Sequence, residues 1–261
     1  MGVEGVLVVF GSVGAVETGY YYVAYAIAGV VLMVGSSMLG LLLPVLSGLS
    51  DGRKRAASQV LRISAALVCP LAVFLMFYPG VPLSLLGGGY VRASSMLSVL
   101  LAPSLFMLVF QCVYSLVYAY GFYWLVLGLG LAANVPRIVL YYLLVPLFGG
   151  FGASIAFAVG AFTGFIAAVF IARRVGFMVD FRGLGLAFGI PLAPTLLSYL
   201  LGLPWFVAGF LVLGSCLVGY PLLGVIGRRD LREISLAFLG REKTSQLYYR
   251  FKPLIDNLFR E

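Results

Sequence analysis

From Phe122 to Ala172 the chain reads FYWLVLGLGLAANVPRIVLYYLLVPLFGGFGASIAFAVGAFTGFIAAVFIA, with Arg137 as its sole charged side chain. A membrane-crossing helix takes about 20 mainly apolar residues, so this stretch holds two, Phe122 to Leu147 and Phe151 to Ala172. Phe148 to Gly150 is the turn between them. Five more stretches of similar character flank the pair: Tyr20 to Leu49, Ala56 to Tyr78, Met96 to Tyr120, Leu184 to Leu201 and Trp205 to Ile226. Val3 to Val16 is apolar but only about 14 residues long and carries Glu4, which makes it a partial eighth span. The predicted fold is all-α: a polytopic transmembrane helix bundle over residues 1–227, with about seven full spans.

Composition points the same way. Hydrophobic residues make up 62% of the 261 and charged residues 10%, with a mean hydropathy of +1.10. A soluble domain is near half apolar and a quarter charged, and has nowhere to hide such an excess. The net charge of +8 sits in short clusters between apolar runs and not on one polar face, which excludes a nucleic-acid surface. Met1 to Phe10 has no basic n-region and so does not resemble a secretory signal peptide.

The clusters are Asp51-Gly-Arg-Lys-Arg55, Arg173-Arg174 with Asp180 and Arg182, and Arg228-Arg229. If the spans alternate, all three share one side; the other side has loops around Glu17, Gly80 to Arg92, Phe148 to Gly150 and Gly202 to Pro204. The positive-inside rule makes the basic side cytoplasmic, and the C-terminus with it. From Arg228 the composition turns to charges interleaved with Leu, Phe and Tyr, broken at Gly240 and Pro253. Residues 228–261 therefore read as a cytoplasmic amphipathic tail lying at the interface.

Chemistry-bearing residues are few. The absence of histidine removes the commonest general base and metal ligand, and no glycine-rich phosphate loop, paired aspartates or activated nucleophile occurs. An enzyme is not expected, nor a cofactor or metal. Cys69, Cys112 and Cys216 lie apart within apolar runs and read as small buried hydrophobes. Ionisable groups inside spans are rare and often functional, which singles out Arg62 and Arg137. Arg62 stands about two turns beyond Arg55, where its stem can snorkel to the inner surface. Arg137 follows Asn134-Val135-Pro136. Proline removes a helical hydrogen bond, and a loosened turn beside a buried cation is how transporters build anion sites. The alternative is a kink, with Arg137 reaching for headgroups. Pro44, Pro136 and Pro146 are candidate hinges. Gly152, Ser154, Ala156, Gly160 and Gly164 form a stripe whose default meaning is close helix packing.

Three stretches resemble the polysaccharide-exporter branch of the multidrug/oligosaccharidyl-lipid/polysaccharide exporter superfamily. One runs from Gly19-Tyr20-Tyr21 through Ser36-Ser37 to Leu43-Pro44-Val45-Leu46-Ser47, ahead of a basic loop. Another is Leu85-Leu86-Gly87 with Tyr90 and Ala93. The third is Asn134 leading to Leu144-Val145-Pro146-Leu147-Phe148-Gly149 and Gly152-Ala153-Ser154-Ile155-Ala156. The likeness is to the later half of that family, whose members have two lobes around a cavity.

The resemblance implies a plasma-membrane flippase for polysaccharide biosynthesis, moving a lipid-linked oligosaccharide outward by alternating access. It implies Arg62, Asn134 and Arg137 as contacts for the anionic pyrophosphate. It also implies a truncated or split product whose partner is a separate N-terminal lobe or a second copy. A drug or cation antiporter of the same superfamily would want a carboxylate inside the lobe, and the full spans from Tyr20 onward have none in their interiors. A non-transporting scaffold is the third reading. The sugar, the lipid carrier and the energy source are not written in the sequence.

Overall fold

The computed structural model describes residues 4–48 and 51–225, and all regular structure among them is helical. The tail expected at 228–261 lies outside the described residues. The helices are α1 (Glu4–Val13), α2 (Ala15–Gly48), α3 (Arg53–Phe77), α4 (Gly80–Leu86), α5 (Ser94–Leu101), α6 (Ser104–Ala119), α7 (Tyr123–Arg174), α8 (Phe181–Leu200) and α9 (Trp205–Leu222), with a 3-10 turn at Gly88–Ala93.

Two backbone breaks decide the topology. The first lies inside α7, where Gly149 adopts φ 57° and ψ −139°, a conformation that side-chain-bearing residues avoid. There the chain doubles back, and the two arms meet along the glycines of the small-residue stripe. A Cβ on Gly152 would stand 2.3 Å from the Leu144 carbonyl oxygen, one on Gly160 2.6 Å from Arg137 Cβ and 2.8 Å from the Ala133 carbonyl oxygen, and one on Gly164 2.9 Å from Ala133 Cβ. Such contact is possible only where one helix presents no side chain. The second break, at Ala102-Pro103, bends the Gly88–Leu101 segment by 44° against α6, so the apolar run from Met96 to Tyr120 is one crossing made of two helices. Five helices are long and apolar enough to cross a bilayer, and the bent pair makes a sixth. Because α7 crosses twice, the described residues make seven transits, with α1 as a partial one.

The core between the helices is filled by Leu39, Leu42, Leu46, Leu97, Leu100, Leu116, Leu129 and Phe157. The outward surface is just as apolar: Val30, Met33, Leu41, Phe210 and Leu217 are exposed. A surface of that kind needs hydrocarbon as its solvent, and the chain is a multi-pass membrane protein. The two ends of the bundle differ in charge. At one, Arg53 donates to the Ala119 carbonyl (3.1 Å) and lies over the Tyr120 ring, while a Cβ on Gly176, just past Arg173-Arg174, would stand 3.1 Å from the Lys54 ammonium. At the other, Tyr78 donates to the Leu203 carbonyl (3.3 Å), Tyr20 meets Tyr90 edge to face, and Gly149 faces the Glu17 carboxylate. Exposed Trp124 marks the basic end and exposed Trp205 the opposite one, as interfacial aromatic belts do.

The glycine seam gives a direct test. Gly160→Leu would drive a side chain into backbone and is expected to destabilise the fold by at least about 3 kcal/mol, the upper range for overpacking. Gly128→Leu, on an exposed stretch with nothing within 4 Å, is expected to be silent. Thermal melts of the two variants in detergent compare them directly; equal melting would refute the seam.

Candidate functional site: a charged cluster at mid-depth

The first arm of α7 carries Arg137 about 18 Å along the axis from Gly149 and about 21 Å from Tyr123, close to the middle of the hydrocarbon layer. Its side chain is 15% exposed. The guanidinium donates through Nη2 to Asn134 Oδ1, one turn earlier. Asn134 Nδ2 in turn donates to the Gly130 carbonyl at 2.8 Å, so only one orientation of the carboxamide serves both bonds. The same Nη2 lies 3.8 Å from Glu4 Oε2 on α1, and the guanidinium stands 6.0 Å from the centre of the Phe157 ring on the second arm. Arg137 Nε is buried and has no hydrogen-bond partner among the described residues.

The local sequence builds this pocket in three ways. Gly160 leaves room for the stem of Arg137 to lie against the opposing arm. Gly5 lets α1 cross directly over two buried tyrosines: a Cβ there would stand 2.7 Å from the Tyr21 hydroxyl and 3.0 Å from that of Tyr141. Pro136 lies within a helix that continues through it, as do Pro44 and Pro146. None of the three expected hinges carries a non-helical torsion; within α7 that belongs to Gly149.

From the cluster an aromatic path leads sideways. Phe157 meets Tyr25 edge to face at 6.3 Å, and Tyr25 stacks on Tyr21 at 6.0 Å. Tyr25 also lines a cavity of about 370 Å³ between α2 and α6, whose other polar side chains are Ser36 and Gln111. The Ser36 and Ser37 hydroxyls both donate to the Met33 carbonyl. A second recess of about 500 Å³, between α3 and α9, is lined by Leu67, Leu71, Phe74, Val212, Leu213 and Leu217 among others. Its bordering Tyr220 hydroxyl is turned to the Ala187 carbonyl (2.9 Å), which leaves the recess almost wholly apolar. Cys69, Cys112 and Cys216 are free and buried.

Of the three binding residues singled out from sequence, the fold joins Asn134 and Arg137 and leaves Arg62 elsewhere. Arg62 is half-buried on α3, about 14 Å from Arg53 at the basic end. That helix packs chiefly against α2 and α8, and also against α6, α5 and α9, whereas α7 packs chiefly against α6, α1, α5 and α2. Sequence reasoning missed Glu4 as a partner, along with Tyr21, Tyr141 and Phe157. The signal for Glu4 was there: a carboxylate in an apolar run asks for a counter-charge. The aromatic residues carried none, because Tyr and Phe are common throughout the chain.

No protein-family model and no curated protein sequence matches the chain. Among solved structures it is similar to the lipid II flippase MurJ in an inward closed conformation, with a TM-score of 0.71 at 12% identity. The match covers 82% of this chain and 48% of the flippase, so the chain spans about half the length of that structure. At this identity the likeness is one of fold, and the fold is that of a polytopic membrane protein.

Proposed function

We propose that this chain is one lobe of a flippase that moves a lipid-linked oligosaccharide from the inner to the outer leaflet of the plasma membrane. The observation that carries the reading is the guanidinium of Arg137, held at mid-depth with a donor unspent among the described residues, in a fold like that of a lipid II flippase. A buried cation is costly in hydrocarbon, and one kept there with spare donors suits an anion that passes through. The anionic diphosphate of a lipid carrier is such a ligand, bound by Arg137 with Asn134 fixing the guanidinium's orientation. The apolar α3/α9 recess offers the carrier's hydrocarbon chain a place, and the cavity with Tyr25, Ser36 and Gln111 offers hydroxyls and amide to sugar. Arg62, separate from these, serves as a contact nearer the basic end.

In this reading residues 1–227 form the membrane domain within the superfamily of polysaccharide exporters. The C-terminus is cytoplasmic, and a second lobe or second copy completes the cavity. No covalent chemistry is asked of the protein. A cation antiporter would need a carboxylate free to trade its ion. The carboxylate that does stand at mid-depth, Glu4, faces the fixed charge of Arg137, which favours the flippase.

Reconstitution of the full chain into vesicles, with and without a candidate first lobe, tests the proposal. Faster leaflet exchange of a fluorescent lipid-linked sugar is expected with both lobes present, and no exchange under either condition would leave the scaffold reading. Orientation has its own check. Lys54→Cys and Arg173→Cys are expected to react with an impermeant maleimide only from the cytoplasm, and Arg92→Cys only from outside. Labelling of the first two from opposite faces would overturn the topology.

A further inference from the structure

Resting on that reading, we propose that Glu4 is a displaceable counter-ion: its carboxylate occupies Arg137 until a diphosphate takes its place, and the exchange releases α1 from α7. Four observations combine. The Glu4 carboxylate is 3.8 Å from Arg137 Nη2, which is an ion-pair distance beyond hydrogen-bond length, so it neutralises the guanidinium without satisfying its donors. Among the described residues Nε is buried and without an acceptor, and a diphosphate oxygen can fill that direction in the two-pronged manner guanidinium favours. The two partners also differ in freedom. Arg137 is 15% exposed and clamped by Asn134, whereas Glu4 is 50% exposed at the start of a ten-residue helix. The carboxylate can therefore leave and the guanidinium cannot. Last, Gly14, at φ 100° and with open space around it, separates α1 from α2, so α1 can swing without dragging the long helix.

Two anions sharing one guanidinium in a poorly solvated site repel each other, so Glu4 and diphosphate compete. Competition of this kind is reciprocal: whatever Glu4 takes from diphosphate affinity, bound diphosphate takes from the docking of α1. The substrate would then report its own arrival by loosening residues 4–13, and an empty site would be held shut by its own charge.

The full-length chain in detergent serves for the test, with two probes, inorganic pyrophosphate and a short-chain isoprenyl diphosphate. Affinity is read by calorimetry and α1 docking by amide hydrogen exchange over residues 4–13. Glu4→Gln is expected to bind the isoprenyl probe about tenfold more tightly than the unaltered chain, with Glu4→Asp close to it, in keeping with ordinary coupling energies. Ligand should raise exchange across residues 4–13 in the unaltered chain, and Glu4→Gln should show that raised exchange with no ligand. Equal affinity for both probes leaves the latch standing and assigns the diphosphate alone as the recognised group. Binding that is undiminished in Arg137→Gln, or absent altogether, sinks the diphosphate site and the latch with it. Binding that depends on Arg137 but is unchanged in Glu4→Gln sinks the latch alone, as does ligand that leaves α1 exchange unmoved.

Discussion

Arg137→Gln is expected to slow leaflet exchange of a lipid-linked sugar at least about thirtyfold, equivalent to about 2 kcal/mol, the lower range for removing one partner of a buried charged contact. Glutamine is shorter and neutral. It can still donate to Asn134 Oδ1, so local helix geometry should survive while the positive charge is lost. Arg137→Lys separates the two contributions: it keeps the charge and gives up the planar fork. If orientation by Asn134 matters, the lysine variant should recover only part of the rate, and Asn134→Ala should resemble it. Full activity in Arg137→Gln, with normal folding by thermal melt, would remove the residue from the transport cycle and take the proposed function's main support with it.

The larger structural effect is expected at Gly149. Valine there would have to hold φ near +57° and ψ near −139°, a region closed to a β-branched side chain, at a cost of about 1–3 kcal/mol before any clash. Its Cβ would also stand 2.9 Å from Glu17 Oε1. The chain's way out is to stay helical through position 149, making a rod of 52 residues about 78 Å long, more than twice the hydrocarbon thickness. Such a rod cannot be inserted as two antiparallel crossings. Gly149→Val is therefore expected to abolish folded protein in the membrane, seen as loss of the monodisperse peak in detergent chromatography. The double variant Gly149→Ala with Glu17→Ala removes the clash and keeps the strain, so partial recovery there would divide the two causes. Folded, correctly oriented Gly149→Val would show that the turn does not depend on glycine.

The sequence made the crossings legible because each is a long apolar run and the solvent is uniform hydrocarbon. The doubling back of α7 was also readable, since only Phe148 to Gly150 can serve as a turn in so long a stretch. What hydropathy gives, however, is depth along the membrane normal and nothing about position around the bundle. Depth already separates Arg62, readable near the inner surface, from Arg137 at mid-span; that α3 packs chiefly on α2 and α8, and α7 on α6 and α1, is legible only in the fold. Glu4 shows the converse. Its run was too short to count as a full crossing, so its charge was weighed against the N-terminus, whereas the fold lays α1 across the cluster through a path that Gly5 keeps open. Pro44, Pro136 and Pro146 lie in helices that continue through them, while the torsional break within α7 falls at Gly149. A proline bend can be absorbed by neighbouring helices, while a glycine torsion that no other residue can adopt has no substitute.

The seam between the two arms of α7 has one further consequence. The arms approach closely along Gly152, Gly160 and Gly164, where the second arm presents no side chain to flex or change rotamer. Two rods joined in this way behave as a single stiff beam, and from Gly150 to Arg174 the beam is about 36 Å long, enough to reach from one face of the bilayer to the other. A tilt imposed at the Gly149 end is then delivered almost undamped to the arginines at the far end. Compliance must be sought at the borders of this beam, where α1, α2 and α6 lean on it, and not within.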